Sequence, residues 1–285
     1  MNIQPFFDPN TFTLTYVVYD LQTRDAIVID PVLDYVPVGS KVATDSYQQV
    51  KSFLMNNDLN LHWVLETHAH ADHMSASQLF KQDFPGVRLG IGKQIVDVQR
   101  VFKTVYNLNE DFVADGSQFD LLINDNQVIE AGSLLIRALH TPGHTPACHS
   151  FLIGDAVFTG DALFMPDYGT GRCDFPKGDA EELYNSITER LYLLPEQTRV
   201  FVGHDYQPNG RSMEYESTIR DEKQQNVQLS AKTNREEFVS FREQRDANLA
   251  APKLIYQSLQ VNIEAGKLPV EEANGRQYLK IPINL

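Results

Sequence analysis

Two runs of β-branched and aromatic residues open the chain, at 13–19 and 26–31, and the polar stretch 21–25 between them reads as the turn of a hairpin. Apolar positions then fall at helical spacing over 46–56. A short apolar run at 62–67 predicts a buried strand leading straight into a cluster of histidines, after which helical spacing returns over 75–84. The order so far is β-β-α-β-α. A further strand is predicted at 87–91 and a helix over 95–106, followed by several strands between about 119 and 164, broken at Asp125-Asn126, Gly132, Pro142-Gly143 and Gly154-Asp155. These strands make a second β-rich half. An amphipathic helix over 180–193, a strand at 199–203 and a largely helical, strongly charged remainder complete the pattern. Two successive sheets, each with its own helices, predict an α/β fold of four layers, α/β/β/α, built from two similar halves. Residues 1–210 are expected to form the main unit and 211–285 a helical C-terminal extension packed on the same domain.

The 285 residues, 42% of them hydrophobic, suffice for a sizeable core. Lys and Arg number 24 against 38 Asp and Glu, a formal net charge of −14, so the surface field repels phosphate backbones and anionic head groups. No nucleic-acid partner is expected. The first residues lack the basic and apolar regions of a secretory signal, and no segment approaches the roughly 20 apolar residues that span a bilayer. The expectation is a cytoplasmic protein with no membrane partner. Cys148 and Cys173 are too few for a disulfide framework and are not spaced as a zinc ribbon or redox pair, so both are expected as reduced thiols.

Histidine is scarce, eight in the chain, yet His68, His70 and His73 fall within six residues, together with Asp72. No packing or capping role needs three imidazoles at one strand-to-helix turn, although Asp72 alone would serve as an N-cap. If 67–70 leaves the strand extended, His68 and His70 project to one side, and the following turn brings Asp72 and His73 back to the same cavity. Neutral imidazole and carboxylate suit zinc, iron or manganese, and the absence of local thiolates argues against a structural zinc finger. Further candidates lie at the ends of apolar runs: His144 after Thr141-Pro142-Gly143, Asp161 after Gly160, and His204 after Gly203. Taken singly, each reads equally well as a turn or core residue; their appearance in this order after the histidine cluster points to one site. His140 reads as a supporting or structural residue, and His62 and His149 as packing residues.

The series His68-Ala69-His70-Ala71-Asp72-His73, then His144 after Thr-Pro-Gly, Gly160-Asp161 and Gly203-His204-Asp205-Tyr206 resembles the metallo-β-lactamase superfamily over about residues 10 to 210. The resemblance implies an αββα catalytic domain. Within the superfamily, 66–73, 140–146, 158–163 and 171–175 look most like the persulfide dioxygenases, and 165–176 is most similar to the bacterial β-lactamase-hydrolase-like branch. This implies one Fe(II) per chain, held by His68, His144 and Asp161 as a 2-His-1-carboxylate triad with positions left for substrate sulfur, dioxygen and water. The implied reaction oxidises a low-molecular-weight thiol persulfide with O2 to sulfite. His70, Asp72, His73 and His204 would then orient ligands or hold water. Arg172 and Asp174 would form an ion pair beside the site, and Tyr206 would face the substrate; for Arg172 an ordinary surface salt bridge is an equal reading. The dioxygenases that take glutathione persulfide carry an arginine after the Gly/Ala-His-Asp-Tyr segment where this chain carries Gln228, so the resemblance does not extend to the carrier thiol. Cys173 falls near the expected site and reads as a packing residue. The alternative in the same family is a binuclear zinc hydrolase of the glyoxalase II or lactonase type. There His68, His70 and His144 would hold one Zn and Asp72, His73 and His204 the other, bridged by Asp161. A non-enzymatic metal-sensing or flavoprotein-partner module is a third reading, and a homodimer is open.

Overall fold

The computed structural model describes residues 1–283. β1 (Asn2–Asp8), β2 (Thr13–Tyr19) and β3 (Asp25–Ile29) form an antiparallel meander. β4 (Val32–Val36) and β5 (Lys41–Ala43) make a separate hairpin, and α1 (Asp45–Asn56) follows. β6 (Asn60–Glu66) returns parallel to β3 and ends at the histidine cluster. The two-residue β7 (Met74–Ser75) pairs with β4, and α2 (Ser77–Asp83), β8 (Arg88–Gly92), α3 (Ile95–Val105) and β9 (Leu121–Ile123) come next. The first six-stranded sheet runs in the order β1-β2-β3-β6-β8-β9.

The second sheet takes its six strands in chain order: β10 (Val128–Ala131), β11 (Leu134–His140), β12 (His149–Ile153), β13 (Ala156–Phe158), β14 (Arg199–Phe201) and β15 (Glu216–Thr218). Between β13 and β14 lies α4 (Ala180–Thr188), and a crossover of this kind is what a parallel pair requires. Asp179 starts α4 by accepting from the backbone N–H groups of Glu181 and Glu182. After β15 come α5 (Ile219–Gln225), α6 (Arg235–Asp246) and α7 (Ile255–Asn262). Among the described residues no helix is long and apolar enough to cross a membrane.

Period-two alternation divides the strands between two cores. Leu14, Tyr16 and Val18 of β2, with Ile27 and Ile29 of β3, share a cluster with Ile136, Ala138, Phe151 and Val157 of the second sheet. Val17, Ala26 and Val28 take the other face and pack with Tyr47, Val50 and Leu54 of α1 and Val98 and Phe102 of α3. α7 joins that layer through Leu259 and Val261, while α4 and α6 bring Leu183, Ile187 and Phe238 to the second sheet. The result is the four-layer αββα sandwich.

Several boundaries differ from the sequence pattern. β9 pairs with β8, so the second sheet begins at Val128 and not near 119; three residues carry too little periodicity to say which sheet they join. The helix expected over 180–193 is α4 followed by a separate 3-10 turn at Leu191–Leu193. β1 and the β4–β5 hairpin give no clear alternation, and Pro5 is tolerated in β1 because that strand lies at a sheet edge. Beyond 210 the chain is helical only in part: β15 extends the second sheet, and residues 267–283 carry neither helix nor strand.

Candidate metal centre

Loops leaving the ends of β6, β11, β13 and β14 bring His68, His144, Asp161 and His204 to one place. The loop after β6 is fixed at its first residue, because Thr67 donates both its N–H and its hydroxyl to Asp30, each at 2.7 Å. With its proton spent there, the Thr67 hydroxyl accepts from His68 Nδ1 at 3.0 Å. His144 Nδ1 donates to the Arg172 carbonyl at 2.7 Å, and His73 Nδ1 to the Met74 carbonyl at 3.0 Å. A carbonyl only accepts, so these rings must carry their proton on Nδ1 and present a bare Nε2. His70 is turned the other way: Nε2 lies 3.0 Å from Asp30 and 3.2 Å from Glu66, leaving Nδ1 without a protein partner.

The bare atoms face each other. Ligand atoms of His68, His144 and Asp161 all lie within 4.8 Å of one another, as do those of His70, Asp72 and His73. His204 Nε2 links the two groups, 3.4 Å from Asp72 and 3.3 Å from Asp161. His68 Nε2, His70 Nδ1, His73 Nε2 and Asp161 Oδ1 are buried with no hydrogen-bond partner among the described residues. Buried polar atoms are seldom left so, and a cation is what such lone pairs jointly lack. The donor set of imidazoles and carboxylates fits iron or zinc equally.

Electrostatics support the ligating forms of His68, His73 and Asp72. Burial and the neighbouring rings of His70 and His144 hold His68 well below its ordinary value, and burial with His70 lowers His73. Both are neutral at neutral pH. Burial works to raise Asp72, but the imidazoles of His204 and His73 outweigh it and hold the carboxyl at about 2. For His70, burial works to lower the ring, and the carboxylates of Asp30 and Glu66 overcome it, raising it well above its ordinary value, so this ring holds a proton on Nδ1 that a bound cation would have to displace.

Close backbone packing locates Asp161. A Cβ on Gly171 would stand 1.9 Å from the Asp161 carbonyl oxygen; Gly160, at φ +51°, would bring one within 2.5 Å of Thr67 Oγ1. From the C-terminal side, Asn262 of α7 accepts from Ser75 N–H and donates to the carbonyls of His70 and His73, each at 2.8 Å. Glu66 accepts from the hydroxyls of Ser75 and Ser77.

A cavity of about 540 Å³ opens over the cluster, walled by the β4–β5 hairpin on one side and by Pro252, Lys253 and Leu254 on another, with Asp72, His73, His144 and Asp161 on its surface. Arg172 and Tyr206 line it. The Arg172 guanidinium makes two 2.5 Å bonds to Asp174 and a third, 2.9 Å, to the Ala250 carbonyl. The Tyr206 ring stacks on His204, centroids 5.4 Å apart. Burial and the nearby carboxylates of Asp161 and Asp72 keep its phenol protonated.

The sequence-predicted residues thus converge, with Asp174 reaching the cavity only through Arg172. Gln228 is absent from the cavity wall. Its amide accepts from Thr170 N–H and Arg242 and donates to the Tyr168 carbonyl, stapling the 165–176 loop from behind. Cys148 and Cys173 are free buried thiols, both pushed up by burial, Cys148 to about 12. His62 pairs with Asp25, while His140 and His149 bond to the carbonyls of Pro146 and Ala147. Asp30, Glu66 and Asn262 were missed: Asp30 and Asn262 lie far from the histidines in the chain, and Glu66, four residues before His70, reads as the acidic end of a strand.

The family model described as the metallo-beta-lactamase superfamily matches residues 9–204. A probable metallo-hydrolase of Burkholderia pseudomallei is 44% identical, covering 100% of this chain and 99% of its own length. A beta-lactamase hydrolase-like protein of Xylella fastidiosa is 44% identical over 99% of this chain and 64% of its own. The mitochondrial persulfide dioxygenase ETHE1 of Homo sapiens is 31% identical over 93% of this chain and 88% of its own. Among solved structures, ETHE1 from Myxococcus xanthus matches with a TM-score of 0.75 and 32% identity, covering 94% of this chain and 100% of that one. Fold, donor set and match agree, and the chain belongs to the metallo-beta-lactamase superfamily.

Proposed function

We propose that the chain is a mononuclear iron(II) persulfide dioxygenase, oxidising a small thiol persulfide with O2 to sulfite and returning the thiol. The observation that carries this reading is the convergence of His68, His144 and Asp161, the last two on the surface of an open cavity, in a chain similar to the persulfide dioxygenase of Homo sapiens. Iron(II) held by these three residues would supply a Lewis-acidic seat for sulfur and the means to activate dioxygen. The protein's own contribution is positioning. Thr67 and the Arg172 carbonyl fix the rings of His68 and His144, so their lone pairs need no reorganisation. Tyr206, protonated and lining the cavity, is a hydrogen-bond donor toward a bound sulfur or oxygen. Asp174 anchors Arg172 beside the site, and His70, Asp72, His73 and His204 orient the ligands and hold water.

A second reading, a binuclear zinc hydrolase, is favoured by the His70, Asp72 and His73 group and by the similarity to a probable metallo-hydrolase. In it Asp161 would bridge the two ions, with His204 on the second. Metal analysis of protein purified without added metal, followed by oxygen uptake with several persulfides, separates the two. One iron per chain with oxygen uptake and sulfite release supports the dioxygenase. Two zincs, thioester or lactone hydrolysis and no oxygen uptake overturn it.

A further inference from the structure

The cavity is acidic at its surface, and most of that charge is already engaged. Asp8 accepts from the N–H groups of Asn10 and Thr11, and Asp34 from the N–H and hydroxyl of Ser46. Asp72 and Asp161 belong to the metal cluster. Of the two lining cations, Arg172 is neutralised by the two-pronged bond to Asp174. Lys253 has no hydrogen bond or ion pair among the described residues.

Its backbone is nevertheless held. Leu254 beside it is buried, Ile255 N–H bonds the Pro252 carbonyl at 3.1 Å, and Arg172 holds the Ala250 carbonyl at 2.9 Å. The side chain is exposed. An uncommitted ammonium anchored at the wall of a cavity, in a molecule of net charge −14, provides a local attraction for anions that the overall field otherwise repels.

We propose that Lys253 is a specificity-determining residue that meets an anionic group, carboxylate or phosphate, at the end of the carrier thiol remote from sulfur. This rests on the persulfide reading above. The sulfur end enters toward His144 and Asp161 while the anionic tail stays at the wall formed by Pro252, Lys253 and Leu254.

The test uses the metal-loaded protein kept anaerobic, with calorimetric binding of three product-like thiols: glutathione, coenzyme A and uncharged 2-mercaptoethanol. In Lys253→Gln, binding of at least one anionic thiol falls about tenfold and in Lys253→Glu further, Lys253→Arg retains it, and 2-mercaptoethanol is unaffected. Loss confined to glutathione identifies a carboxylate; loss confined to coenzyme A identifies phosphate. If wild type binds neither anionic thiol more tightly than 2-mercaptoethanol, or if all three weaken together in Lys253→Gln, the inference is overturned. Binding needs no turnover, so failure of the dioxygenase reading shows separately, as absence of oxygen uptake by wild type with every persulfide.

Discussion

At the residue scale, the protonation of the histidines follows from what their far nitrogens touch. His144 can only donate to the Arg172 carbonyl, and His73 only to that of Met74, so each ring's ligating nitrogen is decided before any ion arrives. Asp161→Ala removes the carboxylate common to both proposed ligand sets. Metal content of the purified variant is expected to fall at least tenfold with an unchanged circular dichroism spectrum; full occupancy would remove Asp161 from the ligands. Glu222 offers a second case, away from the site. Burial raises its carboxyl from 4.5 to about 8, against the bonds from Asn226 and Ser217. The fold therefore retains a proton that the unfolded chain releases above 4.5, and stability contributed by this group declines between about pH 4.5 and 8. Glu222→Gln is expected to match wild type near pH 4.5 and to exceed it by a few kcal/mol, on the order of 3, at pH 8 in urea denaturation. The histidine cluster was legible because one short loop supplies it. Asp30 was not, because a carboxylate that meets a ring across two strand ends leaves no local spacing to read, and Glu66, four residues before His70, looks in sequence like any acidic strand end.

At the element scale, α7 is tied to chemistry about 190 residues upstream. Its Asn262 satisfies one N–H and two carbonyls of the loop that carries the histidines. Asn262→Ala leaves those buried groups unpaired, and we expect a loss of about 2–4 kcal/mol in chemical denaturation together with weaker metal retention under chelator challenge. A variant as stable as wild type would mean water replaces the amide. Gly171→Ala tests the opposite wall: the added methyl collides with the Asp161 carbonyl, and at least a tenfold loss of metal affinity is expected in competition with a chelator. Helices over 46–56 and 95–106 and the strands flanking them were legible from periodicity and match α1 and α3 within a residue. β9 was placed in the wrong half because its partner β8 lies about 30 residues earlier, and pairing is a long-range fact.

For the whole molecule, the two-sheet architecture could be read from the succession of strand-rich and helical stretches, and the family from motif order. How the end of the chain joins the rest could not. β15 completes the second sheet, α6 packs on α4, and α7 lies on the first sheet's helical layer. The separation at 210 is therefore expected to be invisible thermodynamically: scanning calorimetry should show one transition with equal calorimetric and van't Hoff enthalpies. Two resolved transitions would assign the extension its own stability.

Arg172 touches both ends of the cavity. Its backbone oxygen aims the His144 ring, while its side chain grips the segment that carries Lys253. A carrier settling against that outer segment would tug, through a single residue, on the geometry around the ion. Occupancy of the tail end thus acquires a reporter: the electronic spectrum of bound iron or of a cobalt substitute should shift when a sulfur-free anion resembling the tail is added, and the shift should vanish in Arg172→Ala.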